Sequence, residues 1–170
     1  MRHIPNVLTV LRICATPVIL YSIWQRDLDT ALILFFLSGM TDTIDGTLAR
    51  RFGWTSKFGA FIDPIADKTL LTGVFLVLGL RDFIPAWLVY IVIGRDVAIL
   101  LAAAVLKVTG RLSEFPPSIF GKISTLVQLL TAGAVLLRWP DDPFPFFYAT
   151  VLLAFLSFGH YGYQISRKLN

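Results

Sequence analysis

The sequence predicts an all-α integral membrane protein with six transmembrane helices and both termini in the cytoplasm. Composition, the lengths of the apolar blocks and the distribution of basic residues lead there. Of 170 residues, 56% belong to the set AVILMFWYC and 15% are charged, where a soluble domain carries about 25% charged residues. So few charges cannot shield so much apolar surface in water. An aromatic share of 14% also excludes a disordered chain. Cys14 stands alone and cannot form an internal disulfide, and His3 and His160 give no zinc-type ligand set.

Six apolar blocks follow in order. Val7–Trp24 is interrupted only by Arg12, and its Pro17 reads as a kink. Thr30–Met40 is free of charge and runs on into an acidic segment. Phe58–Leu80 carries Asp63, Asp67 and Lys68, and Phe83–Leu106 carries the adjacent pair Arg95–Asp96. Ile123–Leu137 and Pro143–Ser166 hold no charge. A spanning helix needs about 20 residues, so six spans with short loops fit the length. The alternating pattern of a membrane barrel is absent. The first block lacks the features of a cleaved signal peptide and reads as helix one. No internal repeat or second domain interrupts the chain, so residues 1–170 read as one membrane domain.

Six spans put both termini and the Arg50–Lys57 loop on one side. Nine basic residues collect there: Arg2, Arg50, Arg51, Lys57, Lys107, Arg111, Lys122, Arg167 and Lys168. The opposite loops hold Arg26, Arg81 and Arg138 beside five aspartates. The positive-inside rule makes the richer side cytoplasmic, and a bacterial inner membrane is the expected location. No basic stripe lies outside the membrane flanks, so a nucleic-acid partner is not expected. Trp24, Trp54, Trp87 and Trp139 fall near span ends, as interfacial anchors do.

The chemistry concentrates in Thr41–Lys68, TDTIDGTLARRFGWTSKFGAFIDPIADK, expected at the cytoplasmic ends of the second and third spans. Asp42, Asp45 and Ala49 share one helical face, and Gly59, Asp63 and Asp67 share another. A short turn between them lets the two faces meet as an antiparallel pair. Four unpaired carboxylates in a bilayer would be strongly unfavourable. Their natural partners are hard divalent cations, Mg2+ or Mn2+, and two such ions can clamp a phosphoryl group. Gly46 and Gly59 remove side chains beside the acids, and Arg50 offers a fork of donors to phosphate oxygens. A solvated cap of acids paired with Arg50, Arg51, Lys57 and Lys68 would explain neither the shared faces nor the glycines.

The spacing Asp42-x2-Asp45-Gly46-x2-Ala49-Arg50-x8-Gly59-x3-Asp63-x3-Asp67 resembles the CDP-alcohol phosphotransferase signature at all eight fixed positions. One chance placement of it has a probability on the order of 10⁻¹⁰ at average residue usage. The resemblance implies six transmembrane helices, a homodimer, and transfer of a phosphatidyl-type group from a CDP-linked donor to an alcohol with release of CMP. It also implies that Asp42, Asp45, Asp63 and Asp67 hold two metal ions and that Asp67 is the catalytic base. Asp42, Gly46, Arg50 and Gly59 correspond to donor contacts. A carboxylate within hydrogen-bond reach of the attacking hydroxyl can take its proton.

Ile4-Pro5-Asn6-x-Leu8-Thr9-x2-Arg12, Phe58–Lys68 and Gly121-Lys122-x2-Thr125-x2-Gln128 resemble phosphatidylglycerophosphate synthases and eukaryotic-type cardiolipin synthases. The donor implied is CDP-diacylglycerol. The acceptor implied is glycerol 3-phosphate, with phosphatidylglycerol as the alternative, and Arg95–Asp96 leans toward the latter. Arg95, Lys122 and Arg111 are candidates for a basic acceptor pocket. Against this, Arg95 could be neutralised by Asp96, and Lys122 and Arg111 could be membrane-flank anchors. Arg12 either faces the nucleotide site or snorkels to the cytoplasmic surface. Cys14 is expected in packing. Two other classes place acids in membranes. An intramembrane prenyltransferase uses a different aspartate spacing, and a transporter places its acids near the midplane at a repeat interface.

Overall fold

A computed structural model gives the backbone of residues 4–52, 57–109 and 119–169, and the side chains of 12–41, 67–106, 108–109 and 119–166. Six α-helices make up the described residues: α1 (Ile4–Trp24), α2 (Leu28–Phe52), α3 (Lys57–Leu80), α4 (Ala86–Val108), α5 (Ile119–Leu136) and α6 (Phe144–Leu169). Among the described residues there is no strand. Ala86–Leu106, Ile119–Leu136 and Phe144–Ser166 are long and apolar enough to cross a membrane, and Arg12–Trp24 and Leu28–Thr41 are shorter apolar stretches. Large apolar side chains such as Phe36, Leu100 and Phe155 lie exposed. That outward apolar surface suits lipid and would be a liability in water.

The chain divides into two compact units, Met1–Phe83 with Ala132–Arg138, and Ile84–Thr131 with Trp139–Asn170. In the first, α1 packs against both α2 and α3. The buried stripe of α1 is Arg12, Thr16, Ile19 and Ile23, at spacings of four, three and four. Leu71, Val74, Phe75 and Leu78 of α3 and Ala31 and Phe35 of α2 are buried as well. α1 and α3 run parallel and pack tightly at Gly73, where an added Cβ would fall 2.9 Å from Leu20 Cδ1.

Three helices in this unit end without glycine. Arg26, Asp82 and Arg138 take left-handed backbone, with φ of 64°, 63° and 55°. After α1 and α3 the closing bonds are those of a Schellman turn. Arg26 N–H donates to Ile23 O and Asp27 N–H to Ser22 O; Asp82 N–H donates to Gly79 O and Phe83 N–H to Leu78 O. The two turns lock together through their arginines. Arg26 lies over the Phe83 ring at 5.3 Å and Arg81 over the Trp24 ring at 5.1 Å. Asp27 then starts α2 as its N-cap, its Oδ1 accepting from Thr30 N–H at 3.1 Å. The Thr30 side chain, together with that backbone bond, holds the Asp27 carboxyl below its usual value.

In the second unit α4 and α6 run parallel, with Trp87 and Tyr148 stacked at 6.2 Å. α5 runs antiparallel to α6. Phe120 meets His160 at 5.0 Å, a Cβ on Gly121 would fall 2.9 Å from Tyr161 Oη, and Thr131 and Thr150 share a hydrogen bond of 2.8 Å. Phe144, Phe147 and Tyr148 pack on one another at the start of α6. Asp142 is exposed and accepts from Phe144 N–H.

One expectation changes: Cys14 is exposed on α1, not packed. α2 continues past its apolar run to Phe52, as the shared helical face of Asp42, Asp45 and Ala49 requires, and Asp67 is about 15 Å along α3 from Lys57 at 1.5 Å per residue.

Candidate active site

The acidic signature falls on two continuous helices. Asp42, Asp45, Gly46 and Arg50 sit on α2, and Gly59, Asp63 and Asp67 on α3. The backbone at these positions is helical, so the spacings three and four apart are single-turn steps on each helix. The side chains of Asp42, Asp45, Gly46, Arg50, Gly59 and Asp63 lie outside the described residues, and Arg111 lies outside them altogether. Among the described residues no cluster of three metal-ligating side chains occurs, as follows from three of the four aspartates lying outside.

Asp67 is described, and its position is informative. Its Oδ1 accepts from Arg12 Nη1 at 2.6 Å, and the Asp67 side chain is 47% exposed while that of Arg12 is 4% exposed. The arginine does not snorkel. It turns inward from the first helix and meets the last aspartate of the signature. α1 thereby packs on both helices that bear the acids and puts a fixed positive charge beside one of them. A charge-assisted bond of this length orients the carboxylate. The Asp67 group is half exposed at the surface of this unit. An all-carboxylate oxygen set spread over adjacent turns is the donor chemistry that magnesium or manganese takes, so the residues fit such ions.

The basic acceptor candidates fare unevenly. Arg95 and Asp96 form a buried pair, Nη1 to Oδ1 at 2.7 Å, with side chains 9% and 8% exposed. Arg95 Nη2 also donates to Ser157 Oγ on α6. The neutralisation foreseen as the alternative for Arg95 is therefore present. Lys122 is exposed on α5 and forms no ion pair with another described residue.

What the sequence did not single out is a buried uncharged seam on α5. Ser124, Gln128 and Thr131 are 0%, 0% and 1% exposed and follow one face at steps of four and three. Thr131 bonds to α6. Among the described residues Ser124 Oγ and both amide atoms of Gln128 have no hydrogen-bond partner. Gln128 appeared in the sequence only within a resemblance segment, and no charge marks it.

The family model described as CDP-alcohol phosphatidyltransferase matches residues 2–159. The chain belongs to the CDP-alcohol phosphatidyltransferase family. It is 38% identical over 146 residues to the probable cardiolipin synthase (CMP-forming) of Drosophila melanogaster, covering 76% of this chain and 45% of that protein. It is 32% identical over 153 residues to the CDP-diacylglycerol–glycerol-3-phosphate 3-phosphatidyltransferase of Bacillus subtilis, covering 81% of this chain and 78% of that protein. To the probable phosphatidylglycerophosphate synthase of Mycobacterium tuberculosis it is 33% identical over 142 residues, covering 79% and 66%. The chain spans about half the length of the animal cardiolipin synthases it matches. Apolar helices of this length in a family of membrane enzymes make it an integral membrane protein.

Proposed function

We propose that this protein transfers the phosphatidyl group of CDP-diacylglycerol to glycerol 3-phosphate, forming phosphatidylglycerophosphate and CMP. The observation that carries the reading is the unbroken eight-position signature on two helices with Arg12 seated on its last aspartate. The two bacterial relatives named for glycerol 3-phosphate or phosphatidylglycerophosphate support this acceptor. Phosphatidylglycerol as acceptor, giving cardiolipin, is the second reading. It is favoured by the 38% identical cardiolipin synthase relative and by the Arg95–Asp96 pair.

In this account Asp42, Asp45, Asp63 and Asp67 hold two Mg2+ or Mn2+ ions, and Asp42, Gly46, Arg50 and Gly59 receive the CDP group. Bound there, the ions supply neutralisation of the diphosphate charge, which makes CMP a better leaving group. Asp67 accepts the proton of the acceptor's primary hydroxyl as that oxygen bonds to the β-phosphorus and the bond to the CMP oxygen breaks. Arg12 fixes the rotamer of Asp67. Gly46 and Gly59 leave room for the nucleotide, and Arg50 contacts its phosphates. Arg95, Lys122 and Arg111 remain candidates for the acceptor's negative charge.

The setting belongs to the same proposal. The parallel and antiparallel runs within each unit alternate as six spans would, with both termini and the reaction on the cytoplasmic face of a bacterial inner membrane. The whole of 1–170 acts as one domain and pairs as a homodimer. A lipid donor could then stay in its leaflet while CMP leaves into water.

The test is incubation of the detergent-purified protein with labelled CDP-diacylglycerol, magnesium and each acceptor in turn, with products identified by mass. Phosphatidylglycerophosphate and stoichiometric CMP with glycerol 3-phosphate is the expected result. Cardiolipin from phosphatidylglycerol alone would shift the reading to the second acceptor. No CMP with any alcohol would overturn both.

A further inference from the structure

Arg26, Arg81 and Arg138 lie in the loops opposite the acidic signature, where the positive-inside rule asks for few basic residues. Arg138 is matched by Asp29 at 3.8 Å. Arg26 and Arg81 are not so matched. Among the described residues neither forms an ion pair, although Asp27 and Asp82 follow them directly in the chain. The Asp27 carboxylate is engaged instead by the Thr30 N–H that starts α2. Each of the two arginines lies over an aromatic ring, Arg26 over Phe83 and Arg81 over Trp24.

A guanidinium stacked on a ring keeps its N–H groups in its own plane, as a fork that matches the oxygens of a phosphate. Arg26 uses one of these groups on the chain itself, Nη2 donating to Arg81 O at 3.4 Å. Arg81 Nε is buried and has no hydrogen-bond partner among the described residues. Anchoring of the two turns accounts for the stacked rings. It does not account for donors left over at both guanidiniums, one of them buried, since a buried donor without an acceptor is costly.

Depth indicates what meets those donors. α1 and α3 are parallel and keep one register, Arg12 with Asp67 and Arg26 with Arg81 being separated alike by 55 positions. Both arginines therefore lie 14 residues beyond the Arg12–Asp67 pair, about 21 Å at 1.5 Å per residue. α3 has 24 residues and is about 36 Å long, against a hydrocarbon core of about 30 Å. With the signature toward one end of α3, the other end meets the headgroups of the opposite leaflet. On the hydrocarbon side of the arginines, Tyr21 and Leu80 are 63% and 61% exposed. A free phosphate would make no use of that apolar flank, whereas a phospholipid would use the donors and the flank together.

We propose that Arg26 and Arg81 form a binding site for the phosphodiester of a membrane phospholipid in the leaflet opposite the acidic signature. Trp24 and Phe83 hold the two guanidiniums, and the acyl chains run past Tyr21 and Leu80. The site lies wholly within the first unit. It goes beyond the transfer reading and does not depend on it.

The experiment titrates the full chain in detergent, with EDTA present and nucleotide absent, and counts bound lipid by native mass spectrometry. Phosphatidylglycerol is compared with diacylglycerol of the same acyl chains, which lacks the phosphate. The wild-type protein should retain phosphatidylglycerol at least about tenfold more tightly. Arg26→Lys with Arg81→Lys keeps both charges over their rings but removes the forks, and should weaken that retention about tenfold. Arg26→Gln with Arg81→Gln should abolish the preference, and the lysine pair decides if this variant misfolds. Inorganic phosphate at the same concentration should not displace the lipid. CMP release by the lysine pair should match the wild-type rate, separating this site from the one at Asp67. Equal retention of the two lipids by the wild-type protein, or phosphatidylglycerol held as tightly by the lysine pair, would overturn the inference. Displacement by inorganic phosphate would overturn the lipid as its ligand. A wild-type protein that releases no CMP with any acceptor would sink the transfer reading and leave this site standing.

Discussion

The first unit holds the aspartate signature and the second a buried uncharged seam on α5, and the two become visible in different ways. Along α2 and α3 four aspartates at helical steps interrupt apolar helices. An ionised group in such a setting requires a partner, so its presence alone argues for a site. Along α5, Ser124 and Gln128 interrupt nothing, since serine and glutamine occur in membrane helices as ordinary packing and gluing residues. Only their complete burial and missing partners mark them out. Charged clusters can be read from spacing, whereas buried neutral groups need the three-dimensional count of donors and acceptors.

The sharpest way to break this contrast is to remove a charge from the first unit. Asp63→Asn deletes one proposed metal donor, and activity should fall about 10³-fold or more, equivalent to several kcal/mol of transition-state stabilisation. Excess EDTA should abolish turnover of the wild-type protein, and added magnesium should restore it. Turnover that continues under chelation would remove the metal from the account.

Arg12→Ala comes next. It strips Asp67 of the partner that orients it, so kcat should drop by about 10–100-fold with a smaller change in KM. Stability should fall by about 1–2 kcal/mol, less than for a fully buried pair because Asp67 is 47% exposed. An unchanged kcat would show that the ion pair is only structural.

Thr131→Val probes the second unit's polarity where it is already satisfied. Breaking the bond to Thr150 should lower stability by about 1 kcal/mol and leave kcat/KM unaltered. A changed kcat/KM from this variant would show that the Thr131–Thr150 bond does more than hold α5 to α6.

The smallest effect belongs to the turn. Asp27→Ala should lower Tm slightly at neutral pH by removing the α2 N-cap. Since Thr30 holds the folded Asp27 carboxyl below its usual value, the cap stabilises above the unfolded carboxylate pKa. That stabilisation fades as pH falls through the lowered folded value. The Tm gap between wild-type and variant should close in acid, and a gap independent of pH would show that charge plays no part in the cap.

Much of the fold was legible because bilayer helices are written in long apolar runs. α1, α3, α4 and α6 start or end within a few residues of their predicted blocks. In α2 the apolar run stops at Met40 while the helix continues to Phe52, because helix hydrogen bonds do not require apolar side chains once a helix leaves or lines a polar region. There the three- and four-residue steps of Asp42, Asp45 and Ala49, not hydropathy, carried the helix signal. The left-handed turns at Arg26, Asp82 and Arg138 carried no glycine to announce them. Arg12 was visible as a lone charge, but its direction was set by the face it shares with Thr16 and Ile19, which packs inward.

The central claim is that Asp67, held by Arg12, takes the proton of the attacking alcohol within a carboxylate cage on α2 and α3. Its most direct test is single-turnover CMP release by Asp67→Asn at saturating magnesium and CDP-diacylglycerol, beside equilibrium binding of the donor. Donor binding within a few-fold of wild-type and CMP release slowed at least about 10³-fold is the predicted result. CMP release near the wild-type rate from that variant would contradict it.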